Sequence, residues 1–200
     1  MTASPYGIPS PQLLEQLERH EGFRPLPYLC PANCVTIGYG TNLEAHPEYL
    51  DDDNIRQKVE MGRLRSGALL RLLQDSGLKW THERARAAML DEVVSCREQL
   101  FLRCRQFRRL AELGDTVRAE VLLNMAFNMG VNGLLKFVRT LALVDGAIDG
   151  TNTWEQVEAG LRNSLWWKQV GVRSRELGRQ IVTGHYMVCL LYTSPSPRDL

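Results

Sequence analysis

No apolar run in this 200-residue chain approaches the roughly 18 residues that a membrane span requires. The opening residues, MTASPYGIPSPQ, have no basic start and no apolar core, so they do not read as a Sec signal. An excess of positive charge is missing too. The chain carries 24 Lys and Arg against 23 Asp and Glu, far from the basic stripe of a nucleic-acid binder. The five cysteines, odd in number and scattered, do not form a disulfide framework. Cys96 and Cys104 stand eight apart on an expected helix, roughly 12 Å at about 1.5 Å per residue, too far to bridge. Cys30 and Cys34 could pair in an oxidising space. His20, His46, His82 and His185 make no H-E-x-x-H or other metal spacing, and no metal or cofactor is expected. Gly38-Tyr39-Gly40 lacks the third glycine and the strand–helix context of a nucleotide fingerprint. No Gly-x-Ser-x-Gly elbow occurs.

What is present suits one globular domain with a real core, since 44% of residues are hydrophobic. Charge is unevenly spread. Residues 1–60 hold four Lys or Arg against nine Asp or Glu, and the remainder twenty against fourteen. That asymmetry suits a cleft with an acidic lobe facing a basic one, and equally a solvated mixture of surface charges.

Residues 1–9, punctuated by Pro and Gly, read as a flexible lead. Ser10-Pro11 is an N-cap followed by Pro at the first helical position. Leu13, Leu14 and Leu17 form an apolar stripe that Glu21 continues, and Gly22 ends the helix. A carboxyl there meets desolvation and the negative helix-end carbonyls, which both disfavour its ionised form. That is the setting a general acid needs. Residues 23–50 should hold a small antiparallel sheet, with Val35-Thr36-Ile37 its clearest strand and Gly38 and Gly40 at bends. Helices are expected at 54–62, capped from Asp51-Asp52-Asp53, and at 67–74, closed by Gly77. Thr81 caps one long helix over 82–104, with Ala85, Ala88, Met89, Val93, Cys96 and Leu100 on one side. A helix starting at Asp115 or Thr116 is apolar nearly all round from Val121 to Met129, the mark of a buried lobe centre. Helices at 137–144 and 154–161 flank a DGAIDGTNT loop. Of Trp166-Trp167, at least one should pack in the core. Arg175 and Arg179 on a last helix read as a solvated basic face.

The most specific signal is HEGFRPLPYLCPANCVTIGYGTN, residues 20–42. Within it Glu21 is followed by eight residues, Cys30, five residues and Thr36. This resembles the catalytic signature of phage-type lysozymes, glycoside hydrolase family 24: Glu, eight residues, Asp or Cys, five residues, Thr. The likeness continues through TIGYGTNL at 36–43, NMAFNMG at 124–130 and SLWWKQVGVRSRELGRQIVTG at 164–184, and covers most of 12–188.

The resemblance implies an α+β, mainly helical, two-lobed fold. It has a small antiparallel-sheet lobe, a long connecting helix and a helical C-terminal lobe within a catalytic domain at 10–188. It implies cleavage of the β-1,4 bond between N-acetylmuramic acid and N-acetylglucosamine in bacterial peptidoglycan, by a monomer that does not insert into membranes. Made in the host cytoplasm without a signal peptide, such a protein would reach the wall by holin release or virion delivery. Glu21 would be the general acid, Cys30 the second catalytic group and Thr36 the residue holding the attacking water. Arg173 matches the arginine that approaches the catalytic Glu from across the cleft. Asn124 and Asn128 share a helix face and could satisfy buried backbone groups. For Asn128, just before Gly130 and by resemblance near the cleft, substrate contact is the favoured reading.

Cys30 stands where most relatives carry Asp. A thiol with an ordinary pKa of about 8.5 is mostly neutral near neutral pH, so without help it is a poorer base than a carboxylate. Three readings stay open: Cys30 acts as base or nucleophile, Glu21 works alone as in lytic transglycosylases, or the chain is an inactive wall-binding or virion module. The tail belongs to none of these. CLLYTSPSPRD, 189–199, resembles the in-frame translation of a transposon-type sequencing adapter. Residues 189–200, Cys189 among them, are therefore set apart from the fold.

Overall fold

The computed structural model describes residues 8–186 and divides the chain into two compact units, one ending at Glu98 and the other beginning at Gln99. Most of the expected flexible lead, residues 1–7, and all of the adapter-like tail lie outside the described residues.

The first unit opens with α1, Pro11–Glu21. The Ser10 hydroxyl accepts from the Leu13 N–H at 3.1 Å, satisfying one of the donors that a helix start leaves open. Leu13, Leu14 and Leu17 are buried on one side. Gly22, at φ +70°, ends the helix by donating its N–H to the Glu18 carbonyl. Three antiparallel strands follow in sequence order: β1 Arg24–Leu29, β2 Val35–Gly38 and β3 Thr41–Asn42. β2 lies between the other two and is buried along its whole length. Two short helices, α2 Asp53–Glu60 and α3 Ser66–Asp75, lead to Trp80, whose N–H donates to the Pro25 carbonyl at 2.9 Å. The long helix α4, His82–Arg103, is capped by Thr81 as expected and runs through the boundary between the units. Ala85, Ala88, Met89, Val93 and Leu100 form its buried side.

The second unit is helical: α5 Arg105–Glu112, α6 Thr116–Met129, α7 Val131–Leu135, α8 Val138–Ile148, α9 Trp154–Arg162, α10 Leu165–Gln169 and α11 Val172–Thr183. Its centre is α6, capped by Asp115 and buried from Ala119 to Ala126. The described residues are mainly α with one small antiparallel sheet, the class expected from the sequence.

Three local expectations need correction. The long helix stops at Arg103, and Cys104 leaves it to become the N-cap of α5, a helix not anticipated. Its signal was present in Phe107 and Leu110, three apart and both buried. The five-residue α7 was likewise not anticipated. The DGAIDGTNT stretch is only half loop, because α8 continues through Asp145, Gly146 and Ala147 to Ile148. The chain folds back so closely that a Cβ on Gly146 would meet Asn152 Oδ1 at 2.7 Å. The Thr151 and Asn152 N–H groups both donate to the Gly146 carbonyl, at 2.8 and 3.0 Å. Gly146 is thus a close-approach glycine inside a helix rather than a loop residue.

Candidate active site

Glu21 is the last residue of α1, so the glycine that turns the chain also aims its carboxylate at the loop after β2. A Cβ placed on Gly40 would lie 3.9 Å from Glu21 Oε2, which puts the carboxylate over the Gly40 bend. Gly38 and Gly40 both adopt positive φ, +68° and +101°, where L side chains are strained.

Cys30 and Thr36 come together through strand pairing. Tyr28 pairs with Thr36 and Leu29 with Val35. The register continues outward to Cys30 opposite Cys34, whose carbonyl accepts the Cys30 N–H at 3.0 Å. The backbone N–H of Cys34 is the largest influence on the Cys30 thiol and holds it below the usual range. Partial burial opposes this, while the Thr36 hydroxyl, the Ala32 N–H and the Cys34 thiol reinforce it. The Thr36 hydroxyl also lies 3.2 Å from the Cys34 carbonyl. Its single proton serves one of these acceptors at a time.

The turn carrying Cys30 is braced from behind. Glu44 Oε1 accepts from the N–H of Val35 and from that of Ser66, both at 2.9 Å. The Ser66 hydroxyl donates to the Asn33 carbonyl at 2.8 Å. A buried carboxylate thereby ties the start of β2 to the start of α3.

Two further residues belong to this region and were not found from the sequence. Tyr28 is half-buried, with the Arg24 guanidinium 4.4 Å from its ring centroid. Burial raises its phenol pKa, Arg24 opposes the rise, and the charges of Cys30 and Glu21 add to it. Tyr28 is thus the common neighbour of the two expected catalytic groups. Glu92, on α4, has a buried Oε1 with no hydrogen-bond partner. Burial raises its pKa, the Thr41 hydrogen bond and His46 oppose the rise, and the charges of Glu21 and Glu48 add to it. No motif marks Glu92; only its i, i+4 spacing from the buried Ala88 and from Cys96 put it on the inner side.

The remaining expected residues lie in the second unit. Asn128 sits near the end of α6, and the Trp166 indole N–H donates to its Oδ1 at 2.9 Å. Trp166 is buried edge-on to Phe137, so it packs as core. Trp167 packs so tightly on α11 that a Cβ on Gly178 would lie 2.5 Å from its ring. Arg173 is buried on α11, while Arg175 and Arg179 are exposed as expected. Asn124 is fully buried.

Residues 18–171 match the phage lysozyme family model. The chain belongs to the phage lysozyme family. Among curated proteins it is 25% identical, over 88% of its length, to the pre-baseplate central spike protein Gp5 of Enterobacteria phage T4. It is 33% identical, over 35% of its length, to probable T4-type lysozyme 1 of Dictyostelium discoideum. The matched segments cover 28% and 38% of those two proteins, so the chain spans well under half of either relative. Glu21, Cys30 and Thr36 all lie inside the family match, as do Tyr28, Glu44 and Glu92.

Proposed function

We propose that this phage lysozyme family member hydrolyses the β-1,4 bond between N-acetylmuramic acid and N-acetylglucosamine in bacterial peptidoglycan. The observation that carries the reading is the Cys30 thiol faced by the Cys34 N–H and the Thr36 hydroxyl, donors that favour its thiolate. A thiol held below its ordinary range can act as a base nearer neutral pH, which supports Cys30 in that role. Glu21 donates its proton to the leaving glycosidic oxygen. The Cys30 thiolate takes a proton from a water positioned by the Thr36 hydroxyl, and that water attacks the oxocarbenium-like carbon from the opposite face. Asn128 and Arg173 of the second unit are assigned to substrate binding. With Asn128 Oδ1 engaged by Trp166, its amide N–H groups are the donors it offers to a sugar. The protein works as a monomer on the cell wall.

A second reading is favoured by one observation: a relative matched over most of this chain is named a central spike protein. On that reading the chain is a virion structural module that binds wall without cutting it. Glu21 acting alone would instead give a transglycosylase, in which a sugar hydroxyl replaces water. Mass spectrometry of soluble products from purified peptidoglycan, under reducing conditions, separates the three. Reducing N-acetylmuramic ends support the hydrolase, and anhydro ends the transglycosylase. Wall binding without released fragments supports the structural module.

A further inference from the structure

Cys34 meets the Cys30 thiol both through its backbone N–H and through its own thiol, and the hydrolytic scheme uses only the first. The pairs Tyr28–Thr36 and Leu29–Val35 set Cys30 and Cys34 opposite each other at the closed end of the hairpin. Opposed residues of an antiparallel pair point to the same face. The 3.0 Å bond from the Cys30 N–H to the Cys34 carbonyl closes the ladder at this pair. Directly opposed residues of an antiparallel ladder have Cα atoms about 4.5–5.5 Å apart, inside the roughly 4.4–6.8 Å window for a disulfide. The three-residue turn between them holds that spacing. Asn33 adopts φ +61° and donates its N–H to the Cys30 carbonyl at 2.8 Å, while Ser66 grips the Asn33 carbonyl from outside. Both thiols are free and partly exposed. Cys96 and Cys104 have no such partner geometry, since α4 separates them and Cys104 is buried.

We propose that Cys30 and Cys34 form a reversible disulfide by exchange with small-molecule disulfides, and that this bond switches the site off. The inference rests on the catalytic assignment of Cys30. In the first step the Cys30 thiolate attacks one sulfur of a disulfide such as oxidised glutathione, forming a mixed disulfide and releasing one glutathione thiolate. Cys34, having lost its proton to solvent, then attacks the Cys30 sulfur and expels the second glutathione thiolate. The protein loses two protons and two electrons, and one glutathione disulfide gains them to become two glutathiones. The product sulfur on Cys30 cannot ionise, so it can neither accept a proton from water nor hold the Thr36 hydroxyl as a thiolate does. A disulfide exposed at a hairpin end is of the labile class that cellular thiols reduce, which suits a switch better than a staple.

The test equilibrates the full chain with glutathione redox buffers, maps cross-links by peptide mass spectrometry and measures release of soluble wall fragments. The expected result is a Cys30–Cys34 cross-link, the mass loss of two hydrogens, a drop in activity of at least tenfold and full recovery with dithiothreitol. Cys34→Ser should lose the cross-link and accumulate a glutathione mixed disulfide at Cys30 instead. Absence of the cross-link while other cysteines react overturns the proposal, as does a cross-linked protein that clears wall at the reduced rate. A protein that forms the cross-link but is inactive in both redox states would sink the catalytic reading, and the switch with it. The disulfide itself is read from mass alone, so the two failures are distinguishable.

Discussion

Replacing Gly38 with Ala probes the backbone on which the strand carrying Thr36 ends. Gly38 closes β2 two residues after Thr36, at φ +68°. A methyl group there would lie 2.9 Å from Ala85 Cβ, closer than real Cβ contacts come, and 3.0 Å from Trp80 Cε3, tighter than nearly all of them. Neither neighbour is a flexible chain end. Ala85 is fully buried on α4, and Trp80 is 1% exposed. Two costs therefore add. An L residue at positive φ costs roughly 1–2 kcal/mol, and overpacking a rigid site costs about 1–3 kcal/mol. The lost freedom of the unfolded glycine returns about 0.4–1 kcal/mol. The net expectation is a destabilisation of roughly 2–4 kcal/mol. Gly77 is the control, because it lies in the same unit at φ +73° with nothing within 4 Å of its Cβ position. Gly77→Ala should show only the backbone part, about 1 kcal/mol. Guanidinium unfolding of the full chain, followed by far-UV circular dichroism, measures both. Equal losses in the two variants would refute the packing argument, since the backbone costs are matched and only the contacts differ.

Glu21→Gln keeps the shape but removes the proton, so wall cleavage should fall by roughly 10²–10⁴ while the far-UV spectrum is unchanged; retained cleavage would remove Glu21 from the mechanism. Cys30→Asp should keep or raise activity if the position serves as a base. In the native protein the ascending limb of the pH–activity profile should lie below the ordinary thiol value of about 8.5, and in the Asp variant it should move several pH units towards acid. An unmoved limb would dissociate it from residue 30. Iodoacetamide at mildly alkaline pH should label Cys30 first, because its thiol is held low. Burial pushes Cys96 up to about 12 and raises Cys104, so both should label only after unfolding, as peptide mapping would reveal. Glu92 is raised above its unfolded value, mainly by burial. The native state therefore keeps that proton longer than the unfolded chain does, and stability falls as pH rises through the interval. Glu92→Gln, which mimics the neutral acid, should gain melting temperature relative to the native protein as pH rises above the ordinary carboxyl range, and a constant gap would contradict this.

Much of the local structure was legible in the sequence because it depends on short-range chemistry. Ser10-Pro11, Thr81 and Asp115 each start a helix because a side-chain oxygen next to the first turn meets an open N–H. Gly22 ends α1 because only glycine takes its conformation cheaply. The sequence placed Glu21 at a helix end and Thr36 on a strand, and both are found there, whereas the position of Cys30 at the end of a hairpin came only from the strand pairing. The sequence determined which residues are candidates for the chemistry and most of the local shapes that bear them. Tertiary structure decided what surrounds them. Whether the Cys30 thiol is held low depends on the Cys34 N–H and the Thr36 hydroxyl, which only the hairpin register brings to it. Helical spacing puts Glu92 on the inner side of α4, but the charges that surround it come from segments far along the chain, and Tyr28 entered the site by burial. Gly146 was misread as loop for the same reason, since its missing side chain makes room for Thr151 and Asn152 folded back upon it. Propensity and capping act within a few residues, whereas desolvation, charge and close approach act through space between segments that the sequence keeps apart.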